Sequence, residues 1–498
     1  MISDLINKKD NSTLKKIALI SNNKEYTYAE LWRNISRLSK WIDLNYDKHS
    51  RIGVLLDNCE ESVFAFFAII ISGRICVPID YDIHIRNLKF LINDTSIDLL
   101  FTSSKYIYKI DELNTDISFD IILTDNFAED RKYKQILDEI IFNPYYDKLD
   151  LPFTNKDKTA SIFYTTGTTG PKKGVMLSQN NLLSSTKNIN EFMKIGSTII
   201  ESVPMRISHS FGFARIRCIL DVGGTIILEN GFLRPEKVLK NIKTYKANAI
   251  SSVPAGFAIL LDRYKPLFKD ISSQIEYIEI GSSYMRENQK KILMSMCPKA
   301  RICMHYGSTE ASRSTFIEFN SEQNKLSTIG KPSPNVRVKI LKENKELKGN
   351  VGEILVKGQM TSSGYWNNKK MTKENIISGW IKTGDLGKID NDGYIHLLGR
   401  KEEVINLGGL KIAPGEIEEV LLKHDDIIEA AVIGIRSDNL LTQNLKAFIV
   451  SNNKNISNSE LESFCLKNLE PYKIPNSFKI LSSLPKTHSG KIKKNELR

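Results

Sequence analysis

Through the first half of the chain, short β-branched runs alternate with longer helical stretches, and this alternation constrains the fold more than any other feature. Arg51-Ile-Gly-Val-Leu-Leu56 reads as a strand, Glu60 to Ile71 as an apolar helix, and Ile75-Cys-Val-Pro-Ile79 as the next strand. Asp98-Leu-Leu-Phe-Thr102 and Ile121-Ile-Leu-Thr124 continue the pattern, and Ala247 to Val253 and Ile275 to Ile280 repeat it. Strands alternating with helices predict α/β layers around largely parallel sheets. From about Gly330 the texture changes. Val336-Arg-Val-Lys-Ile340 and Gly352-Glu-Ile-Leu-Val-Lys357 alternate apolar and polar, as half-buried antiparallel strands do. Beyond Arg400 a compact segment carries its own strand signals, Ala430-Ala-Val-Ile-Gly434 and Leu445-Lys-Ala-Phe-Ile-Val450. A domain boundary is expected at Arg400 to Glu403, and a length of 498 residues exceeds what one core supports.

Composition narrows the class. The six cysteines are scattered without a CxxC pair, which suits reduced thiols and argues against a disulfide framework or zinc site. The longest apolar run, Val63 to Ile71, is far short of the roughly 20 residues that span a bilayer. With no signal-peptide core at Met1 to Asp10, the expectation is a soluble, cytoplasmic protein with no membrane span. The net charge of +12 is spread along the chain, so it describes a lysine-rich solvated surface as well as an attraction for anions. No RRM, zinc-finger or basic-region pattern points to nucleic acid.

The chemistry concentrates in Tyr164-Thr-Thr-Gly-Thr-Thr-Gly-Pro-Lys-Lys-Gly-Val175. Glycines let backbone N–H groups wrap a phosphate, while hydroxyls and an ammonium add donors. The segment lacks the spacing of a Walker A loop. A flexible surface turn is the competing reading, but a turn has no use for so many phosphate donors.

This loop resembles the phosphate loop of the adenylate-forming superfamily, which includes acyl-CoA synthetases, peptide-synthetase adenylation domains and beetle luciferases. Further motifs resemble the same family in its order across nearly the whole chain. They are Tyr26-Thr-Tyr-Ala-Glu-Leu31, Gly73 to Asp80, Met304-His-Tyr-Gly-Ser-Thr-Glu310, Gly364-Tyr-Trp366, Lys382-Thr-Gly-Asp-Leu386, Gly399-Arg400, Pro471 to Pro475 and Pro485 to Lys491.

The resemblance implies a large AMP-binding domain, 1–399, of layered α/β subdomains plus a small β-barrel-like piece. A hinge at 400–402 and a small mobile α+β domain, 403–498, follow. It implies an AMP-forming acid–thiol ligase that uses ATP and magnesium. Thr165, Thr166, Gly167, Thr168, Thr169, Gly170 and Lys173 then hold the phosphates, with Ser283, Tyr306, Gly307, Ser308 and Thr309 around the rest of the nucleotide. Tyr306 offers its face to adenine, and Asp385 and Arg400 grip the ribose. Glu310, helped by the Thr165 hydroxyl, binds magnesium, a hard cation that needs oxygen ligands. Lys491 is the expected catalytic cation, offsetting negative charge at the α-phosphate and the carboxylate. Glu402 falls at the hinge, and Gly408 and Gly409 leave space for a pantetheine arm once the small domain swings. Taken singly, Glu402 and Lys491 read also as solvated surface groups and Asp385 as a turn residue, with a surface carboxylate the competing reading of Glu310.

The acid pocket departs from the family pattern. His209, in Pro204-Met-Arg-Ile-Ser-His-Ser-Phe-Gly-Phe213, is the catalytic gate candidate, with a packed core histidine as the alternative. Tyr284 stands where the family keeps a smaller residue, and Arg313, close to Glu310, is the candidate sensor of an anionic or polar feature. The aspartate that holds an amino-acid ammonium in related enzymes is missing at Phe211 to Ala214, so a non-amino carboxylic acid is expected. A charged amine buried without a partner is costly. The thiol is that of CoA or of a separate acyl carrier protein. An NTPase that releases γ-phosphate and a non-catalytic nucleotide-binding scaffold are the other classes to be separated.

Overall fold

A computed structural model describes all residues except 114–117, 126–134, 153, 166–171, 343–344, 347–350, 408–409, 437–442, 454, 487–491 and 498. The predicted alternation becomes two large sheets with helices between and outside them. In the first sheet the parallel strands Arg51–Leu55, Ile75–Ile79, Leu99–Thr102 and Asp120–Leu123 adjoin the antiparallel hairpin Thr159–Thr165 and Lys173–Ser178. The second sheet runs in parallel through Thr225–Leu228, Ile200–Val203, Ala249–Ser252, Tyr277–Ile280 and Arg301–Tyr306, with antiparallel strands at its edges.

The helices between the sheets explain why both are so apolar. Every residue of the helix Glu60–Ile71 is buried except Glu61. It shares one core with helices Tyr28–Asn45, Gln179–Met193 and Ser210–Val222, with Ile52 and Phe101 from the first sheet and Val203 and Ile226 from the second. Apolar side chains on the outer faces, Val77 and Leu100 on one sheet and Ile250 and Ile278 on the other, form separate clusters under further helices. Strands buried on both faces must be apolar throughout, which is the pattern read in the sequence.

The antiparallel texture after Gly330 becomes a six-stranded sheet, including Arg337–Lys342, Gly352–Lys357, Trp380–Ile389 and Ile395–Arg400. That sheet ends at Arg400, a single 3-10 turn covers Lys401–Glu403, and the last apolar cluster starts at Ile405. The C-terminal part packs helices Pro414–Leu421 and Asn458–Asn468 with strands Ile427–Arg436, Gln443–Ser451 and Ser477–Ile480. Among the described residues no helix is long and apolar enough to cross a membrane.

Candidate active site

The strand Arg301–Tyr306 lies inside the second sheet, and its C-terminal end delivers Tyr306 and the turn that follows. A Cβ on Gly307 would come within 2.7 Å of the Arg313 backbone nitrogen and 2.8 Å of the Ala311 carbonyl oxygen. Only glycine fits there, and the tightness of the turn presents Ser308, Thr309 and Glu310 beside the tyrosine. The Tyr306 hydroxyl donates to Asp385 Oδ2 at 2.5 Å. Burial and the facing Asp385 carboxylate push the phenol far above its ordinary range, so it stays a neutral donor.

Asp385 and Arg400 sit directly opposite each other on antiparallel strands. Arg400 Nε lies 3.1 Å from Asp385 Oδ1, and its Nη1 donates to the Thr383 carbonyl at 3.1 Å. A buried carboxylate held by a phenol on one oxygen and a guanidinium on the other cannot rotate, and its remaining lone pairs are aimed. That is what gripping a pair of vicinal hydroxyls requires.

Glu310 is half-buried and accepts a hydrogen bond from the Tyr365 hydroxyl at 2.9 Å. Tyr365 lies across from Val175, and the Lys173 ammonium stands 5.8 Å from its ring centroid. Thr165 and Lys173 are cross-strand partners, so the two ends of the phosphate segment face each other. Among the described residues no three His, Cys, Asp or Glu side chains cluster as a metal cage. An oxygen-poor protein site of this kind suits magnesium, which keeps waters and binds through one or two carboxylates plus substrate phosphates. Glu310, with one oxygen clear of Tyr365, and the Thr165 hydroxyl fit that role.

His209 is more than half exposed, and its Nε2 lies 2.8 Å from Asp80 Oδ2. Arg206 reaches the other oxygen of Asp80 at 2.5 Å, pairs with Asp82 and lies over the Tyr81 ring. Burial pushes the Asp80 carboxyl up, but the hydrogen bond and charge of His209 and the charge of Arg206 hold it well below the usual range. His209 is therefore a surface histidine in a charged cluster rather than a packed core residue. Ser210, the next residue, opens the helix Ser210–Val222 and comes within 3.4 Å of the Thr309 hydroxyl.

Arg313 is placed differently from its sequence expectation. It is buried, with Nε 3.0 Å from Glu279 Oε1 and Nη2 donating to the Phe211 carbonyl at 3.2 Å. Glu279 also faces Arg215 at 2.9 Å and His305 at 2.7 Å. Burial alone raises its carboxyl, but the charges of Arg313 and Arg215 and the His305 ring bring it well below the usual range. Arg313 is thus occupied in holding the Gly307 turn to the sheet. Tyr284 turns outward and is exposed. Ser283 lies on the loop between strand Tyr277–Ile280 and helix Glu287–Met296.

Lys491, Thr166, Gly167, Thr168, Thr169, Gly170, Gly408 and Gly409 lie outside the described residues. Flanking Lys491, Lys486 and Ile492 form an antiparallel bridge, and Lys494 pairs with Glu403 and Glu418 at 2.8 Å each. The chain end is thereby tied to the turn Lys401–Glu403, which contains Glu402. The sequence reading gave no role to Tyr365, Glu279, Arg215 or Arg217. Two arginines two residues apart in the otherwise apolar helix Ser210–Val222 were the available signal.

A tyrosine, a carboxylate and a guanidinium thus stand together beside a glycine turn and Glu310, on two α/β sheets followed by an antiparallel sheet and a C-terminal α+β part. The chain belongs to the AMP-binding enzyme family: residues 7–366 match its main domain and 416–491 its C-terminal domain. A long-chain-fatty-acid–CoA ligase of Bacillus subtilis is 28% identical over 97% of this chain and 91% of its own length. A 4-coumarate–CoA ligase-like protein of Arabidopsis thaliana is 30% identical, over 95% of this chain and 86% of its own. The solved O-succinylbenzoate coenzyme A synthetase of Bacillus subtilis, in complex with ATP and magnesium ion, superposes with a TM-score of 0.83 at 25% identity. That alignment covers 99% of both chains.

Proposed function

We propose that this enzyme activates a non-amino carboxylic acid with ATP and transfers the acyl group to the thiol of CoA. The observation that carries the reading is the Tyr306–Asp385–Arg400 grip joined through the Gly307 turn to Glu310. In the first step a carboxylate oxygen attacks the α-phosphorus of ATP, the bond to the β-phosphate oxygen breaks, and pyrophosphate leaves. Tyr306, Asp385 and Arg400 hold the nucleoside so that this attack is in line. Thr165, Thr166, Gly167, Thr168, Thr169, Gly170 and Lys173 cradle the phosphates, with Ser283, Ser308 and Thr309 around the nucleoside. Glu310 and Thr165 retain magnesium, which supplies charge neutralisation at the phosphates when bound. The Lys491 ammonium offsets charge developing between carboxylate and phosphorus.

In the second step the CoA sulfur attacks the acyl carbonyl, a thioester forms and AMP leaves. Rotation about Glu402 withdraws Lys491 and brings Gly408 and Gly409 to the acyl end, where they leave room for the pantetheine arm. His209, with Asp80 fixing its ring, gates the acid's approach. CoA is preferred to a separate acyl carrier protein because the two relatives above are named for CoA. Among the described residues the cavity beside Thr309 is lined by Arg217, hydroxyls, Asn181 and the apolar Phe163, Leu177, Leu182 and Met360, with no acidic side chain, which disfavours a substrate ammonium. The six thiols, none of them in a disulfide, support a cytoplasmic location.

The test is pyrophosphate release from ATP and magnesium with a panel of carboxylic acids, with and without CoA. Acid-dependent release that rises with CoA and disappears in Lys491→Ala and in EDTA is the expected result. Phosphate release without pyrophosphate or acid dependence means an NTPase. Adenylate that CoA does not discharge redirects the thiol to a carrier protein.

A further inference from the structure

The helix Ser210–Val222 buries two arginines, and they differ in what surrounds them. Arg215 is saturated: it meets Glu201 at 2.5 Å and Glu279 at 2.9 Å. Arg217 is equally buried, with 2% of its surface exposed. Its Nε donates to the Thr186 hydroxyl at 3.2 Å, and its guanidinium lies 4.6 Å from the Phe213 ring centroid. Among the described residues no carboxylate pairs with it. The buried charges here are Arg215, Arg217 and Arg313 against Glu201 and Glu279, with His305 kept neutral by burial and by the charge of Arg313. One positive charge is left over, and it is the one that faces a cavity.

That cavity lies between the helices Gln179–Met193 and Ser210–Val222. Beside Arg217 its wall carries Ser185, Ser210, Thr309, Ser312 and Asn181, together with the apolar Phe163, Leu177, Leu182 and Met360. Its free volume is about 10 Å³, room for about one water molecule, so a bound acid has to widen it. Thr309 immediately precedes Glu310, so the Thr309 side of the cavity is the end nearest the nucleotide. The guanidinium, hydroxyls and amide suit an oxygen anion, and the apolar side chains suit the short carbon spacer that joins it to the reacting carboxylate.

We propose that Arg217 recognises a second anionic group on the acid, so that the substrate is a short dicarboxylate rather than a fatty or aromatic monocarboxylate. This rests on the ligase reading above and specifies its substrate. One carboxylate reacts at the Thr309 end while the other accepts hydrogen bonds from the Arg217 fork, assisted by the serines. Burial lowers the Arg217 guanidinium to about 9, and a bound carboxylate restores its ordinary value. Arg217 is a specificity residue, whereas Arg313, spent on Glu279, is not.

The full-length enzyme is assayed for pyrophosphate release with ATP, magnesium and CoA. The acids are the α,ω-dicarboxylates from malonate to adipate and the monocarboxylates of equal chain length. The expected kcat/KM favours a short dicarboxylate over its monocarboxylate partner on the order of 100-fold. In Arg217→Met that ratio collapses or inverts, mainly through the KM of the dicarboxylate, while ATP still raises the melting temperature. Arg217→Lys restores part of the ratio, because a point charge replaces the fork. A wild-type preference for monocarboxylates overturns the proposal, as does an equal loss for both series in Arg217→Met. If Arg217→Met is insoluble, the wild-type ratio and Arg217→Lys decide. No pyrophosphate with any acid, aromatic and long-chain ones included, overturns the ligase reading itself.

Discussion

Glu279, Arg313 and Arg215 illustrate how a fully buried charge network responds to the loss of one member. Removing Arg313 leaves Glu279 with less compensation in a dry interior, and breaking such a pair costs about 3–5 kcal/mol. Arg313→Met is therefore expected to lower the urea midpoint strongly, and equilibrium unfolding checks it. Its effect on acid specificity is expected to be secondary to that destabilisation. The pH dependence follows from Glu279, whose folded carboxyl is held below the unfolded value of about 4.3. Its contribution is complete above that unfolded value and is lost as pH falls through the lower folded one. Glu279→Gln is expected to flatten the acid limb of a stability–pH curve. At the nucleotide grip, Tyr306→Phe removes one hydrogen bond to a charged acceptor. This raises the KM for ATP about tenfold, with steady-state kinetics as the check.

At the scale of elements, the caps and turns decide what the site can do. The helix Tyr28–Asn45 begins with a capping box in which Thr27 and Glu30 exchange hydrogen bonds. Thr27→Ala is expected to cost about 1 kcal/mol without changing kinetics, as read by thermal unfolding beside an activity assay. Gly307→Ala is the opposite case. A Cβ there meets the backbone at Arg313 and Ala311, so the turn opens and ATP binding is lost by isothermal titration. Most elements were legible because one face or both faces of each are buried. The helix Glu60–Ile71 ends where its apolar run does, and both it and the strand Ile75–Ile79 have the bounds expected from the sequence. The strand read at Asp98 begins one residue later, at Leu99, and the Asp98 carboxylate accepts a hydrogen bond from the Arg51 backbone N–H at the strand's entry.

Across the whole molecule, the last described residues are tied back to the turn Lys401–Glu403. The mostly buried ammonium of Lys494 meets Glu403 and Glu418, so Lys494, three residues after Lys491, is tied to the turn Lys401–Glu403. Lys494→Ala is expected to slow adenylation about tenfold with little change in ATP affinity, because it loosens the position of Lys491 rather than the nucleotide grip. Single-turnover pyrophosphate release distinguishes the two. The motif residues Tyr306, Asp385, Arg400 and Glu310 could be named along the chain through the family motifs they stand in, whereas Asp385 alone reads as a turn residue. Their mutual arrangement could not be read there. Asp385 opposes Arg400 only through the register of two antiparallel strands, and Tyr306 reaches Asp385 across 79 residues of sequence.

The arginines make the division plain. Along the chain Arg313 stands near Glu310 and invites a role in recognition, while Arg217 is one more residue in an apolar helix. Local pattern is enough to determine strands, helices, their order and the family motifs, because hydrophobic periodicity and turn chemistry act over a few residues. Which buried charge is neutralised and which is left facing a cavity depends on the carboxylates that packing brings near. Glu279 arrives at Arg313 from a neighbouring strand, and Glu201 and Glu279 together satisfy Arg215. Only the tertiary structure makes that allocation, because Coulomb energy in a low-dielectric interior depends on distance in space and not on distance along the chain.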